Sequence, residues 1–554
     1  MTVSPLPRKR LGIFPRSAFQ SQNRLLASLA ELYPVDFSPE GETGFDHMDA
    51  AVFFSDEQSV AKRAFEHGVS SLVFPRLPNR IGLSATASVS FSGHRILHPA
   101  FRNAEIPVGG FTEAAELKLA EGDSALACHG SLQLWLVRSK GRTELHRVAT
   151  EFQFLQSDRL LWEFLRPDGW LAALPLVHFV RRVTADVDWS PAPQHACFMF
   201  DDPNLHYIKY GYIDYARLAA QARERNYHVA IATIPLDAWY AGRKAVDVFR
   251  RHERSLSLLI HGNDHVKNEL GCDYNEGDAL CLLAQALRRV ARFERRTGLR
   301  VERVIAPPHG GCSDSVLAQA SRLPVEAICT SAEPLAHAQK RTSLPLAFGL
   351  LPAWFGPGCC PVIRRWDLVY GLMPLRLAAF LGQPIVAYGH HQDCAEGFEP
   401  LAQIASVVNT WGETNWASLE TILGGNYRTT RDNELMHVQM CSRNVSVPVP
   451  EKVSYVVVHS AVGGATDQGR VSVASSDGQA QECTPGVPFR VAGPGSLQLR
   501  MQSSVIIDPA TVSPPAHRLW PALRRALSTG RDRLMPFIRN FHPSGRAELD
   551  TQQC

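Results

Sequence analysis

The stretch CFMFDDPNLH, Cys197 to His206, decides how this chain is read. An apolar run with the character of a buried strand stops abruptly on two adjacent carboxylates, Asp201 and Asp202. A second stretch, SLSLLIHGNDH from Ser255 to His265, completes it: another apolar run delivers His261 and His265, four positions apart. Histidines at that spacing share a helical face or a tight turn, so both imidazoles can reach one ion. Neighbouring carboxylates repel unless one is neutralised, which a divalent cation does well. The economical reading is a catalytic metal site with three protein ligands and an open position.

Outward from these motifs, residues 191–430 alternate strand and helix. Strands are predicted at 198–200, 229–233, 256–260, 301–305, 327–329 and 384–388, with helices at 215–225, 241–251 and 276–296. Repetition at this pitch predicts a parallel barrel or a doubly wound sheet, in which chemistry sits beyond the C-terminal ends of the strands. The aspartate pair, the histidine pair and His390 all fall at such ends.

The flanks read differently. Residues 1–190 form an N-terminal α/β domain, with short strands at 11–14, 50–54 and 71–74, helices at 20–32 and 58–67, and a helical run at 152–176. It lacks GxGxxG and a P-loop, so nothing in it argues for a nucleotide. Pro191 and Pro193 mark the linker that follows. Residues 431–512 read as short alternating strands joined by glycine turns, a small β-sandwich. The basic tail, 513–554, holds an arginine-rich helix. Contact with an acidic partner or anionic lipid is open to it; the preferred expectation is that its Leu, Trp and Phe face packs on the protein and its arginines stay solvated.

With 554 residues the chain exceeds one ordinary core. A net charge of +3 gives no reason to expect nucleic acid. Twelve cysteines without a CxxC motif fit free thiols in a reducing compartment. The N-terminus has no apolar h-region, and no uninterrupted apolar run reaches membrane-spanning length. A cytoplasmic protein with no stable membrane insertion is expected; the oligomeric state is open.

FMFDDPN, LLIHGNDH, VIAPPHGG and IVAYGHHQD occur in an order and context that resembles the polysaccharide deacetylase domain (NodB-like, carbohydrate esterase family 4). The resemblance covers only the middle segment. It implies a deformed (β/α) barrel that hydrolyses acetyl groups on sugars, with Zn²⁺ or another divalent transition metal as cofactor and a carbohydrate or glycoconjugate as substrate. By position it makes Asp201 the general base and Asp202, His261 and His265 the metal ligands. Independent physics supports the division, since a carboxylate bound to metal accepts a proton poorly while its neighbour can accept one. The segment Pro307–Gly310 matches the one whose backbone N–H, here that of His309, stabilises the oxyanion. His390 matches the histidine that protonates the leaving amine, with His391 its rival.

The departures are specific. Ala306 stands where the family has an arginine orienting the base, and Arg364 or Arg365 is the candidate substitute. Glu333 is the candidate for the acid that tunes the catalytic histidine. Blander readings stand beside each residue: a strand-end aspartate capping a helix, turn histidines, prolines shaping a loop, and Asn263 and Asp264 as turn formers. Of the tyrosines at 207, 210, 212 and 215, at least half are expected in the core rather than stacked on sugar. The competing functional class is a catalytically weak or inert barrel serving as a glycan-binding or assembly module. A two-His-one-carboxylate iron oxygenase fits the ligand types but not the usual spacing.

Overall fold

A computed structural model describes residues 6–40, 44–54, 58–75, 80–152, 155, 159–166, 169–338, 344–460, 470–475, 480–491, 493–502, 506–515 and 519–541. At its centre a curled sheet of mainly parallel strands carries helices on its outer side. In spatial order the strands are Trp354–Gly356, Cys360–Arg364, Ala327–Thr330, Val304–Ala306, Leu256–His261, Val229–Thr233, Gln194–Asp201, Ile385–Gly389 and Trp366–Asp367. Only the first pair is antiparallel; the rest of that path is parallel. Such strands are covered on both faces, which is why 196–201 and 258–261 are buried without alternation. The sequence supplies them as the near-continuous apolar runs ACFMF and LLI. The barrel is incomplete. Cys360–Arg364 and Trp366–Asp367 lie toward opposite ends of the strand order, yet a single residue, Arg365, separates them in the chain.

All the parallel strands point their C-terminal ends the same way, so Asp201, Asp202, His261 and Gly389 emerge on one rim. Helix Glu276–Thr297 starts on an Asn275 side chain that accepts from the Asp278 amide and ends on Gly298 at φ 69°.

The N-terminal segment is a mixed nine-stranded sheet. Its parallel part contains Lys9–Phe14, Val35–Pro39, Ala50–Phe53 and Ser70–Val73. The run expected to be helical over 152–176 instead places a 3-10 turn at Leu161–Leu165 and a helix at Trp170–Thr184. Pro175 sits inside that helix and is buried, so packing overrides its low propensity. Two further sheets, one including Tyr427–Asp432, Leu435–Met440 and Tyr455–Ser460, the other Asn444–Val449, Val471–Ser475 and Gly495–Met501, share a valine-rich core.

One expectation is overturned. The tail helix, Leu519–Phe541, lies across the rim with its polar face inward: Arg525 and Asp532 are buried while Leu519, Trp520, Leu523, Leu527 and Leu534 are exposed. The physical reason is that the rim offers buried partners, Asp237 and Tyr210, for that arginine and aspartate. The side chains of Phe537 and Phe541 lie outside the described set. No described helix is long and apolar enough to cross a membrane, and the described cysteines are free.

Candidate metal centre

Asp201 ends its strand almost wholly buried, and both its carboxylate oxygens lie 2.9 Å from Arg365 Nη1. Burial acts to raise its pKa, but the Arg365 cation, with His261 and His390, holds it below the ordinary carboxylate value. Asp202 follows with φ 82°, a left-handed backbone that ends the strand, and the two carboxylates lie near different nitrogens of His261, Asp201 near Nδ1 and Asp202 near Nε2. Adjacent carboxylates can therefore take two different environments.

The second motif is held from beneath. Gly262 has φ 61°, and a Cβ there would meet Glu269 Oε2 at 2.5 Å and Pro308 Cγ at 2.6 Å, so only glycine fits this turn. Glu269 is buried, and its carboxylate accepts from the amides of Asn263 at 2.8 Å, Asp264 at 2.7 Å and His265 at 3.2 Å. Arg289 donates to Asn263 Oδ1 at 2.7 Å. Asn263 and Asp264 shape the turn, as their residue types suggest.

His261 Nδ1 lies 2.9 Å from the carbonyl oxygen of Ala306, which places the proton on Nδ1 and leaves the Nε2 lone pair free. That Nε2 is 3.6 Å from Asp202 Oδ1, and His265 Nε2 is 2.9 Å from the same oxygen. One ligand atom from each of Asp202, His261 and His265 lies within 4.8 Å of the others, the one such trio among the described residues. Asp202 Oδ1 is buried and 2.9 Å from His265 Nε2, and against burial the His265 ring holds the Asp202 carboxyl well below the usual carboxylate range. Burial acts to lower the pKa of His265 but Asp202 raises it, so the metal-free pair favours a proton between them, the place a cation would take. Burial lowers the pKa of His261 to about 4, so this ligand is neutral through mild acid. The donor set fits a borderline divalent metal.

The other expected residues are placed less uniformly. His309 has φ 57° and an exposed side chain, with its ring centroid 5.8 Å from that of His265. His390 is exposed at the end of Ile385–Gly389, and its amide donates to Asp393 Oδ2 at 2.7 Å. His391 is buried against Tyr210 and Tyr212, with Nε2 3.7 Å from Asp532 of the tail. Its ring would lie 2.3 Å from a Cβ at Gly211, a packed position unsuited to a mobile proton donor. Glu333 pairs with Arg166 at 3.4 Å, and the carboxylate beside His390 is that of Asp393. Of the tyrosine run, Tyr210 and Tyr215 are core residues and Tyr207 is exposed.

Sequence reasoning missed the tail. Arg525 Nη2 donates to the carbonyl of Asp202 at 2.8 Å while its Nε donates to Asp237 Oδ2 at 2.7 Å. Arg524 Nη1 donates to the carbonyl of His265 at 2.8 Å. Two consecutive arginines thus hold the backbones of two of the trio, both of them at positive φ. A cleft of about 540 Å³ opens beside them, with Tyr207, Trp239, Tyr240 and Arg533 in its walls.

No protein-family profile matches the chain, and no curated protein matches it significantly. Solved structures do. Agd3, described as a novel carbohydrate deacetylase, matches with a TM-score of 0.47 and 9% identity over 91% of this chain and 99% of its own. A putative polysaccharide deacetylase from Mycobacterium smegmatis matches with a TM-score of 0.32 and 12% identity over 42% of this chain and 92% of its own. BA3943, a carbohydrate esterase family 4 pseudoenzyme from Bacillus anthracis, matches with a TM-score of 0.25 and 11% identity over 40% of this chain and 63% of its own.

Proposed function

We propose that this protein is a metal-dependent hydrolase that removes acetyl groups from an N-acetylated sugar, polysaccharide or glycoconjugate. The observation that carries the reading is the trio Asp202, His261 and His265 beside a second carboxylate, Asp201, kept ionised by Arg365. Zn²⁺ or a similar divalent ion held by the trio would supply Lewis acidity, polarising an acetyl carbonyl and acidifying water. Asp201 takes the proton of the attacking water, its charge and direction fixed by the guanidinium. The backbone N–H of His309 is the donor for the negative charge that develops on the acetyl carbonyl oxygen. As the C–N bond breaks, His390 gives its proton to the leaving nitrogen, and acetate and a free amine result. Their exposure suits His390 and His309 to meeting substrate, and the His309 ring lies beside that of His265.

The deciding experiment measures acetate release from a panel of N-acetylated glycans alongside metal content. Asp201→Asn is expected to lose turnover by about 10²-fold or more while retaining metal. Full activity in that variant refutes the assignment. The second reading, an inert glycan-binding barrel, draws on the tail arginines laid against the site; glycan binding by the metal-loaded protein with no acetate release from any member of the panel would establish it.

A further inference from the structure

A second cavity, of about 180 Å³, lies where the N-terminal segment 159–166 meets the seam of the barrel around Arg365. Its walls include Trp162, Arg364, Arg365 and Trp366. Each of these four has a nitrogen closed off from solvent with no hydrogen-bond partner among the described residues: the indole Nε1 of Trp162 and Trp366 and the Nε of Arg364 and Arg365. All four are donors, and unpaired buried donors are costly unless something accepts from them.

The Arg364 guanidinium carbon lies 3.5 Å from the ring centroid of Trp366 and 5.0 Å from that of Trp162. Its Nη1 donates to the carbonyl of Gly349 at 2.7 Å. The acids of the same wall are engaged elsewhere: Glu333 pairs with Arg166, and Asp367 Oδ1 accepts from the Val369 amide at 3.0 Å. Arg365 already has Asp201 as counter-ion. Arg364 forms no ion pair among the described residues, and burial lowers its pKa to about 9, so it remains a cation near neutrality. Stacking orients the planar fork and holds it in place before any ligand arrives.

We propose that this cavity is an oxyanion-binding site that takes the carboxylate of an acidic sugar. A cavity-lining guanidinium without a counter-ion among the described residues selects an anion, and its planar fork matches a carboxylate best. Through Arg365, which lines the cavity and holds Asp201, the site shares a wall with the proposed base. An acidic sugar as the source of the carboxylate rests on the deacetylase reading: it would be a residue of the same glycan, bound beside the N-acetylated one. Free small carboxylates share the chemistry.

Calorimetric titration of the full chain with glucuronate, glucose and acetate tests this without requiring turnover, so its failure is separable from failure of the deacetylase reading. Glucuronate is expected to bind at least tenfold more tightly than glucose, and to lose at least tenfold in Arg364→Gln. Arg364→Lys, which keeps the charge but not the fork, is expected to fall between them, with thermal melting confirming that both variants fold. Acetate binding as tightly as glucuronate, and equally dependent on Arg364, would assign the site to free carboxylates. Absence of saturable glucuronate binding to the unmodified protein, equal binding of glucose, or undiminished binding in Arg364→Gln overturns the proposal.

Discussion

Replacing Arg525 by alanine tests whether the tail belongs to the metal centre. The Arg525 and Asp237 side chains are only 7% and 5% exposed, and their ion pair measures 2.7 Å. Taking away one member of such a pair strands the other charge in a poorly solvated place, at a cost of about 3–5 kcal/mol. The same change removes a charged hydrogen bond to the Asp202 carbonyl, worth about 1.5–3 kcal/mol. The first loss falls on folding and is read as a lower urea midpoint of the metal-free protein. The second frees a ligand whose backbone sits at φ 82°, and losses of this kind weaken metal binding about 10–100-fold. Chelator competition reads that directly. The double variant Asp237→Asn/Arg525→Gln leaves no stranded charge, so it should recover much of the stability but not the metal affinity. If Arg525→Ala shifts stability by less than about 0.5 kcal/mol and leaves metal affinity unchanged, the helix does not dock as described.

Three further outcomes follow from the geometry. Arg365→Met removes the cation that holds the Asp201 carboxylate down against burial, so its pKa rises and the acid limb of the pH–rate profile moves to higher pH; an unmoved limb refutes Asp201 as the base. Glu269→Gln replaces an acceptor of three amides by a group with only one acceptor oxygen, so metal affinity should fall about 10–100-fold and the stranded amide should lower stability by about 1–3 kcal/mol, read by chelator competition and denaturation. Glu302 is buried below the sheet, and burial raises its pKa to about 7. A raised carboxylate contributes stability that is fully present below its unfolded value of 4.5 and is lost as pH rises through 7. Glu302→Gln should therefore abolish a decline of about 3 kcal/mol between those limits, measured by denaturation at pH 4.5 and 8; an unchanged decline refutes the assignment.

What the sequence made legible was local and periodic. Apolar runs ending in Asp201 and His261 carry their own signal, because a parallel strand buried on both faces has no alternation to hide it. The turn at 262–265 was legible for the same reason: glycine, asparagine and aspartate each suit it by residue type. Long-range partners were not. Glu269 follows His265 at an ordinary spacing, and nothing in its neighbours announces that it accepts three amides. Arg525 lies more than 300 positions from Asp202, on a helix whose composition reads as an apolar face to be packed inward. The buried carboxylate of Asp237 and hydroxyl of Tyr210 reverse that orientation, and they are visible only once the chain is folded.

The arginine missing at Ala306 shows how the barrel's incompleteness is used. Ala306 lies on the strand beside Leu256–His261, where its backbone carbonyl fixes the tautomer of His261; this contact asks nothing of the side chain. The cation for Asp201 arrives instead from Arg365, the one residue between two strands far apart in the spatial order. The Arg365 amide still donates to the carbonyl of Thr330 at 3.0 Å, and its side chain reaches Asp201 with the face of Tyr388 supporting the guanidinium at 4.1 Å. Arg364, one position earlier, ends its strand and turns to the outer cavity between two indoles. Two adjacent arginines thereby serve opposite sides of one wall, one neutralised by the proposed base and one left as a cation without a carboxylate. Exchanging either for lysine keeps the charge but loses the planar fork, so the two substitutions should separate the effects: Arg365→Lys moves the pH–rate profile, while Arg364→Lys weakens anion binding and leaves the acid limb where it was.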